Sequence, residues 1–428
     1  MVNNSSLRTL FITKEVPYPP IGGVSLRNWQ NINIMMKYGP VAIFSASNWT
    51  PKETYLPGVE LWHHSNVEIQ RSGWENLERR LWWLHPRRHP DADWSYSSTA
   101  ARELDELIAK FKPDLVVFVE VWLYPYLRIV QRHKCRIIFD NLNVEASLFQ
   151  QKYASVQDIK SKIKVKIQLD HLKSIERDLS QKADDIWVCS DNDANLIKEL
   201  YGQVAPTHLV PNGINVAHYD GVHSGKLSPP SGLEDKSRNL LFLGQMSYLP
   251  NTVAAELLIN KIYPKLREIY PDCRLLLVGR NPTPLMLDAA KKDAQIIVTG
   301  SVPDVRPYLA AASVMVVPLI QGGGTRLKIL EAFAAGCPVV STAKGAEGLN
   351  AKDGEHLLIK DSIEELVAGV CQIWSDPALG EKLAGCGYEL VQEEYSWEAV
   401  AGRVEEAVKV PLPSVSNGRF SRIKSSVN

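Results

Sequence analysis

The sequence predicts an α/β protein made of two doubly wound domains, and three observations carry that expectation. The chain has 428 residues, too many for one domain of about 150 and enough for two. Short apolar runs alternate with helical stretches in both halves: Leu7–Thr13, Val41–Ser45, Asp114–Val121, Arg136–Asp140 and Asp185–Ser190, then Leu240–Gly244, Arg274–Gly279, Ile296–Gly300, Val314–Leu319 and Val339–Thr342. Such alternation builds parallel sheets with helices on both faces. Finally, one strand near the N-terminus and one near residue 319 each run into a glycine-bearing loop and then a helix, a junction that makes an anion site.

Composition narrows the function. Lys and Arg total 48 and Asp and Glu total 48, so nucleic acid is not an expected partner. The six cysteines are scattered without paired spacing, which suits a reducing cytoplasm. The opening MVNNSSLRTLFIT lacks an apolar signal segment, and no run reaches about 18 apolar residues, so neither a leader nor a membrane span is expected.

In order along the chain, the first strand passes through Pro17, Pro19 and Pro20 to Gly22-Gly23 and a helical stretch containing Arg27. Residues 71–96 concentrate four tryptophans among arginines. Two readings stay open for this segment, contact with an amphiphilic acceptor or anionic membrane surface, and a packed insertion with a basic edge. His85 and His89 have no carboxylate or cysteine at metal-ligand spacing, and no metal site is expected. Asp140-Asn141-Leu142-Asn143-Val144-Glu145 follows a strand directly, which puts its polar groups at the carboxyl edge of the sheet. Asp140 or Asn143 could equally cap the next helix. Residues 159–179 read as a helix with a lysine-rich solvated face. Pro211-Asn212-Gly213 is a tight turn, and 220–238 reads as a linker or surface loop.

The richest stretch is 312–342. The run Val314 to Leu319 empties into Gly322, Gly323 and Gly324. Thr325 is a good N-cap, and apolar spacing predicts a helix over 326–335 that stops at Gly336 and Pro338. Arg326 and Lys328 then fall in the first turn, where the helix dipole disfavours a cation by roughly 0.3–1 kcal/mol. A bound phosphate would compensate. Glu331, one turn on, can only accept hydrogen bonds when ionised and suits sugar hydroxyls.

The segment Gly322 to Ala332, followed by Ala335-Gly336-Cys337-Pro338-Val339-Val340, resembles the nucleotide-sugar site of glycosyltransferase family 4, in its GGGTRLKILEA-type branch. The resemblance implies the GT-B fold, two Rossmann-like domains facing a central cleft. Residues 1–206 would form the acceptor-side domain and 207–390 the nucleotide-sugar domain. Residues 391–410 would form a helix crossing back to the first domain, and the polar tail 411–428 is expected to be disordered.

The resemblance further implies a retaining hexosyltransferase that needs no metal or other cofactor. It would act in the cytoplasm or at the inner face of a membrane, moving sugar from a nucleotide diphosphate donor to a glycan or lipid-linked acceptor in polysaccharide or glycolipid synthesis. Arg326, Lys328, Asp140, Asn143 and Glu145 are the implied catalytic residues. Gly22, Gly23, Gly322, Gly323, Gly324, Thr325, Glu331, Val302 and Asn212 are the implied donor contacts. Two positions depart from the family pattern: Gly323 stands where a first glutamate is usual, and Leu142 where a histidine is usual. These leave a non-catalytic nucleotide-sugar binder, or a sugar-nucleotide epimerase of the same fold, as alternatives.

Overall fold

A computed structural model describes residues 6–14, 16–18, 22–48, 56–67, 73–234, 238–324 and 326–409. Thr325 and the tail 411–428 lie outside the described residues. Seven strands form the first sheet: β1 (Thr9–Thr13), β2 (Val41–Ser47), β3 (Leu61–Asn66), β4 (Leu115–Val119), β5 (Arg136–Asn141), β6 (Asp185–Val188) and β7 (Thr207–Leu209). Six form the second: β8 (Asn239–Leu243), β9 (Arg274–Val278), β10 (Ile296–Val298), β11 (Val314–Val317), β12 (Val339–Ser341) and β13 (Leu358–Ile359).

The orders are β3-β2-β1-β4-β5-β6-β7 and β10-β9-β8-β11-β12-β13. All strand pairs are parallel. Strand order reverses between β1 and β4 in one sheet and between β8 and β11 in the other. A ligand crevice opens at such a switch point, beyond the carboxyl ends of the strands. The loops that matter therefore follow β1, β4, β8 and β11.

The central strands are fully buried and apolar, as two-sided packing requires. Three edge strands escaped the sequence reading. β3 reads Leu-Trp-His-His-Ser-Asn and β13 has two residues, so neither gives an apolar run. β7 carries Thr and His and pairs with β6. It therefore belongs to the first sheet, which moves the division between domains past residue 206 to the turn after Leu209.

The last helix, Trp397–Lys409, buries Val400, Val404 and Ala407 in the same cluster as Phe11, Val117, Ile138 and Trp187. It therefore closes one face of the first sheet. Arg136 fastens its end by donating to the carbonyls of Ala407 and Val408 at 3.1 Å each, cations being favoured at a helix C-terminus. Where the chain crosses between domains its two passages pair: Ile214 N–H donates to Tyr395 O at 2.7 Å and Trp397 N–H to Ile214 O at 3.1 Å.

The tryptophan-rich segment divides into packed and exposed parts. Trp82 packs its ring 5.4 Å from His171 and 6.4 Å from His89, whereas Trp83 is 53% exposed. Trp82→Ser should cost about 2 kcal/mol in a denaturant titration, somewhat below the loss for a fully buried tryptophan, and Trp83→Ser should leave the midpoint unchanged. Equal losses would contradict this division. His89 is fully buried among rings, and its imidazole is pulled down to about 4, chiefly by burial. Among the described residues no group of three His, Cys, Asp or Glu is placed to hold a metal ion.

Candidate active site between the two sheets

The glycine loop after β11 lies against the helix Glu145–Ser155 of the first domain. Gly322 N–H donates to Gln151 Oε1 at 3.4 Å. A methyl group at Gly323 would come 2.7 Å from Leu148 Cδ2, and one at Gly324 would come 2.7 Å from Asn143 Oδ1. Gly324 also has a φ of 76°, which an L side chain tolerates poorly. The glycines thus let the loop reach the opposite domain. Gly323 has no room for a glutamate while Leu148 keeps its place, which gives the departure from the family pattern a steric basis. Between these surfaces a cavity is lined by Asn143, Ser147 and Gln151 on one side and by Gly322–Gly324, Lys344 and Glu347 on the other.

Arg326 and Lys328 differ from the sequence expectation in an instructive way. The helix runs Leu327–Ala334, with Arg326 at its N-cap. The Arg326 side chain is buried and folds back to donate to Gly323 O at 3.0 Å, Gly322 O at 3.2 Å and Lys344 O at 3.1 Å. Its nearest carboxylate, Glu347, is 3.8 Å away, and its Nε has no acceptor among the described residues. The loop carbonyls already compensate much of its charge, so the expected conflict with the dipole is smaller than sequence alone suggests.

Lys328 donates to Asn251 Oδ1 at 2.8 Å and lies 4.1 Å above the Phe242 ring. Burial, then the Arg326 charge, pulls its ammonium down to about 7. No carboxylate reaches it at ion-pair distance among the described residues. Glu331 accepts from Tyr219 OH at 3.1 Å, and burial raises its pKa against the opposing pull of Tyr219 and Lys328.

Across the cleft the Gly22-Gly23 pair starts the helix Gly23–Met35. A methyl group at Gly23 would lie 3.4 Å from Leu327, and one at Gly22 would lie 3.9 Å from Arg280 Nη2. The two glycine junctions therefore face each other. Arg280 follows β9 and donates to Gln245 Oε1 at 2.9 Å. The sequence reading passed over this residue, although a cation just beyond a strand at the carboxyl edge was a usable signal.

Two proposed residues, Asp140 and Asn212, are bound into a buried network instead of facing the cleft. Asp140 is fully buried and paired with Arg27 Nη2 at 2.5 Å. It is a core counter-ion, not a catalytic group in contact with ligand. Asn212 accepts from the same guanidinium at 3.0 Å and serves this network in place of a donor. Leu142 is buried beside Trp187 and Val210. Val302 follows β10, partly buried against the second core.

Asn143 and Glu145 do reach the cleft side, with Asn143 Nδ2 donating to Glu145 Oε1 at 3.4 Å. Neither Asp140 nor Asn143 caps the helix. Glu176, from the long helix Ile159–Lys182, accepts from the N–H groups of Glu145 at 2.9 Å and Ala146 at 3.2 Å. Burial, then the charges of Glu120 and Glu176, pushes the Glu145 carboxyl up to about 8. It is therefore largely protonated at neutral pH and can donate a hydrogen bond. No local pattern exposed Glu120 or Glu176, because each arrives from a different element.

Residues 237–376, which span the second sheet, match the family model described as Glycosyl transferases group 1. The chain is 29% identical over 200 residues to a phosphatidyl-myo-inositol mannosyltransferase of Mycobacterium leprae, covering 46% of this chain and 51% of that protein. It is 27% identical over 244 residues to a lipopolysaccharide 1,2-N-acetylglucosaminetransferase of Salmonella typhimurium, covering 51% and 63%. The match thus spans little more than half the length of these relatives. A solved sucrose-phosphate synthase from Thermosynechococcus elongatus superposes with a TM-score of 0.68 at 18% identity, over 94% of this chain and 98% of that one. The protein accordingly has the GT-B fold of two Rossmann-like domains, and its second domain matches the group 1 glycosyl transferases.

Proposed function

We propose that the protein is a retaining glycosyltransferase that moves a hexose from a nucleotide diphosphate sugar to a glycan or lipid-linked acceptor, working in the cytoplasm during cell-surface polysaccharide or glycolipid synthesis. The observation that carries this reading is a pair of desolvated cations, Arg326 and Lys328, beside bare glycine backbone, with no carboxylate among the described residues at ion-pair distance from Lys328. A diphosphate completes that arrangement. The departing charge of the nucleotide would be stabilised by the guanidinium, the ammonium and loop N–H groups, without recourse to a metal ion. Gly22 and Gly23, facing this cluster, bring a second helix N-terminus to the donor.

On the acceptor side, Asn143 and protonated Glu145 offer donors and acceptors to a sugar hydroxyl. The second-domain family match supports the donor half of this reading, and the names of the two curated relatives support the acceptor class. Thermal-shift titration with UDP, GDP and ADP identifies the nucleotide. A turnover assay then tests the reaction: transfer releases free nucleotide and a glycosylated product, epimerisation gives a new sugar nucleotide, and a binder gives neither. Buried Leu142 and unsubstituted Gly323 favour the binder as the second reading.

Glu331 is assigned to the ribose hydroxyls of the donor, with Tyr219 holding its carboxylate in place. Glu331→Gln is expected to lower kcat/KM by the equivalent of about 1.5–3 kcal/mol, through loss of charged hydrogen bonds. Unchanged kinetics and nucleotide affinity would make Glu331 a structural residue only.

A further inference from the structure

The helix Gly73–Arg80 presents its apolar side outward. Trp74, Leu77 and Leu81 share one stripe at helical spacing, and they are 76%, 45% and 37% exposed. Trp83 and Leu84 continue the surface at 53% and 54%. An amphipathic helix on a globular domain ordinarily buries such a stripe. Here charged residues hold the helix to the body instead: Glu78 accepts from Arg88 Nη1 at 3.0 Å, and Arg79 lies 4.5 Å above the Trp94 ring.

Glu78 of this helix also lines a groove, open to solvent, that lies wholly within the first domain. Its charged walls are unevenly satisfied. Arg88 is bound to Asp93 and Glu78, and Asp178 is occupied by Lys182 and Tyr124 at 2.7 Å each. Arg87 only approaches Asp178, at 3.9 Å, and is 56% exposed. Arg128 has no ion-pair partner among the described residues. Two guanidiniums with unused donors thus stand at a groove of mixed polar and apolar lining, on the same face as an exposed apolar stripe.

We propose that this face docks on an anionic bilayer, the stripe Trp74–Leu77–Leu81 entering the interfacial layer while Arg87 and Arg128 take a lipid phosphate into the groove. Guanidinium forks match phosphate oxygens, and amphipathic helices with exposed tryptophan and leucine lie in the headgroup plane. The proposal does not rest on sugar transfer. Vesicle binding is read without donor or turnover, so an inactive protein that binds vesicles leaves it standing, and an active one that does not bind overturns it alone.

The test is flotation of the full chain with vesicles of phosphatidylcholine alone or mixed with phosphatidylglycerol. Binding to the mixed vesicles should be the stronger and should weaken with salt. Arg87→Gln with Arg128→Gln should lower it by about thirtyfold. Trp74→Ser with Leu77→Ser should lower binding to both vesicle types by about tenfold. These side chains are exposed, and circular dichroism of each variant checks that the fold is kept.

Equal binding to both vesicle types, or binding indifferent to the arginine pair, overturns the proposal. So does stabilisation by soluble glycerol phosphate without vesicle binding, which would assign the groove to a free phosphorylated metabolite.

Discussion

Arg326→Ala is expected to lower the melting temperature of the ligand-free protein by about 10 °C and to remove the further rise produced by a nucleotide diphosphate. The buried guanidinium donates to three carbonyls, two in the glycine loop and one at Lys344. Truncation leaves those oxygens without their charged donor and opens a void under the loop. Bonds from a charged donor contribute roughly 1.5–3 kcal/mol each, although not additively, so about 3–5 kcal/mol is a reasonable total. The helix dipole opposes the cation by at most about 1 kcal/mol, so the hydrogen bonds win.

Arg326→Lys should not restore the loop, since one ammonium cannot span three carbonyls that a planar fork reaches. Melting curves with and without nucleotide diphosphate measure both parts. A free variant that melts like the parent would mean that the loop does not depend on Arg326.

That sign is the reverse of what the sequence alone suggests, and the reason bears on how much of the protein was legible. Position 326 reads as the first turn of a helix, where a cation is only a cost. The sequence cannot show the side chain turning back into the preceding loop, because that depends on where residues 322, 323 and 344 are held by two different strands. Local periodicity did give the alternating sheets, the glycine junctions after β1 and β11, and the helix that follows them. Those features need only a stretch of chain and its immediate neighbours.

Long-range pairings were hidden in the same way as the Arg326 contacts. Asp140 stands where a ligand-binding carboxylate would, at the end of a central strand, yet Arg27 arrives from a helix 113 residues earlier and neutralises it. Glu145 carries no sign in the sequence that its carboxyl will hold a proton at neutral pH. That property comes from burial and from two other carboxylates, one after β4 and one in the long helix. Chain-local chemistry thus located the cleft, while the state of each group in it was decided by residues distant in sequence.

Lys328→Met should separate binding from folding more sharply than any other substitution. In the free protein the ammonium is held at about 7, below its ordinary value of 10.5, by burial and by Arg326. Between those two values the native state carries fewer protons than the unfolded chain, so Lys328 makes stability rise with pH across that window, and its full penalty is present below pH 7. Methionine removes the penalty but leaves Asn251 Oδ1 without its donor. The two effects oppose each other, and the melting temperature at pH 7 should move by only about 2–3 °C.

Under the proposed function, donor binding would behave differently. A diphosphate beside Lys328 would favour the charged lysine and raise its pKa, so binding should take up a proton above pH 7, and affinity should fall as pH rises until the pKa of the complex is passed. A sugar nucleotide is the proper probe, because its diphosphate has no proton to lose in this range. Calorimetry in buffers of different ionisation enthalpy should show proton uptake near pH 8 with the parent protein and none with Lys328→Met. The same variant should lose about 10²–10³-fold in kcat, as expected when a preorganised charge at the leaving group is removed. If proton uptake persists in the variant, the titrating group is elsewhere, and Lys328 is a packing residue over Phe242 and not the cation that meets the phosphates.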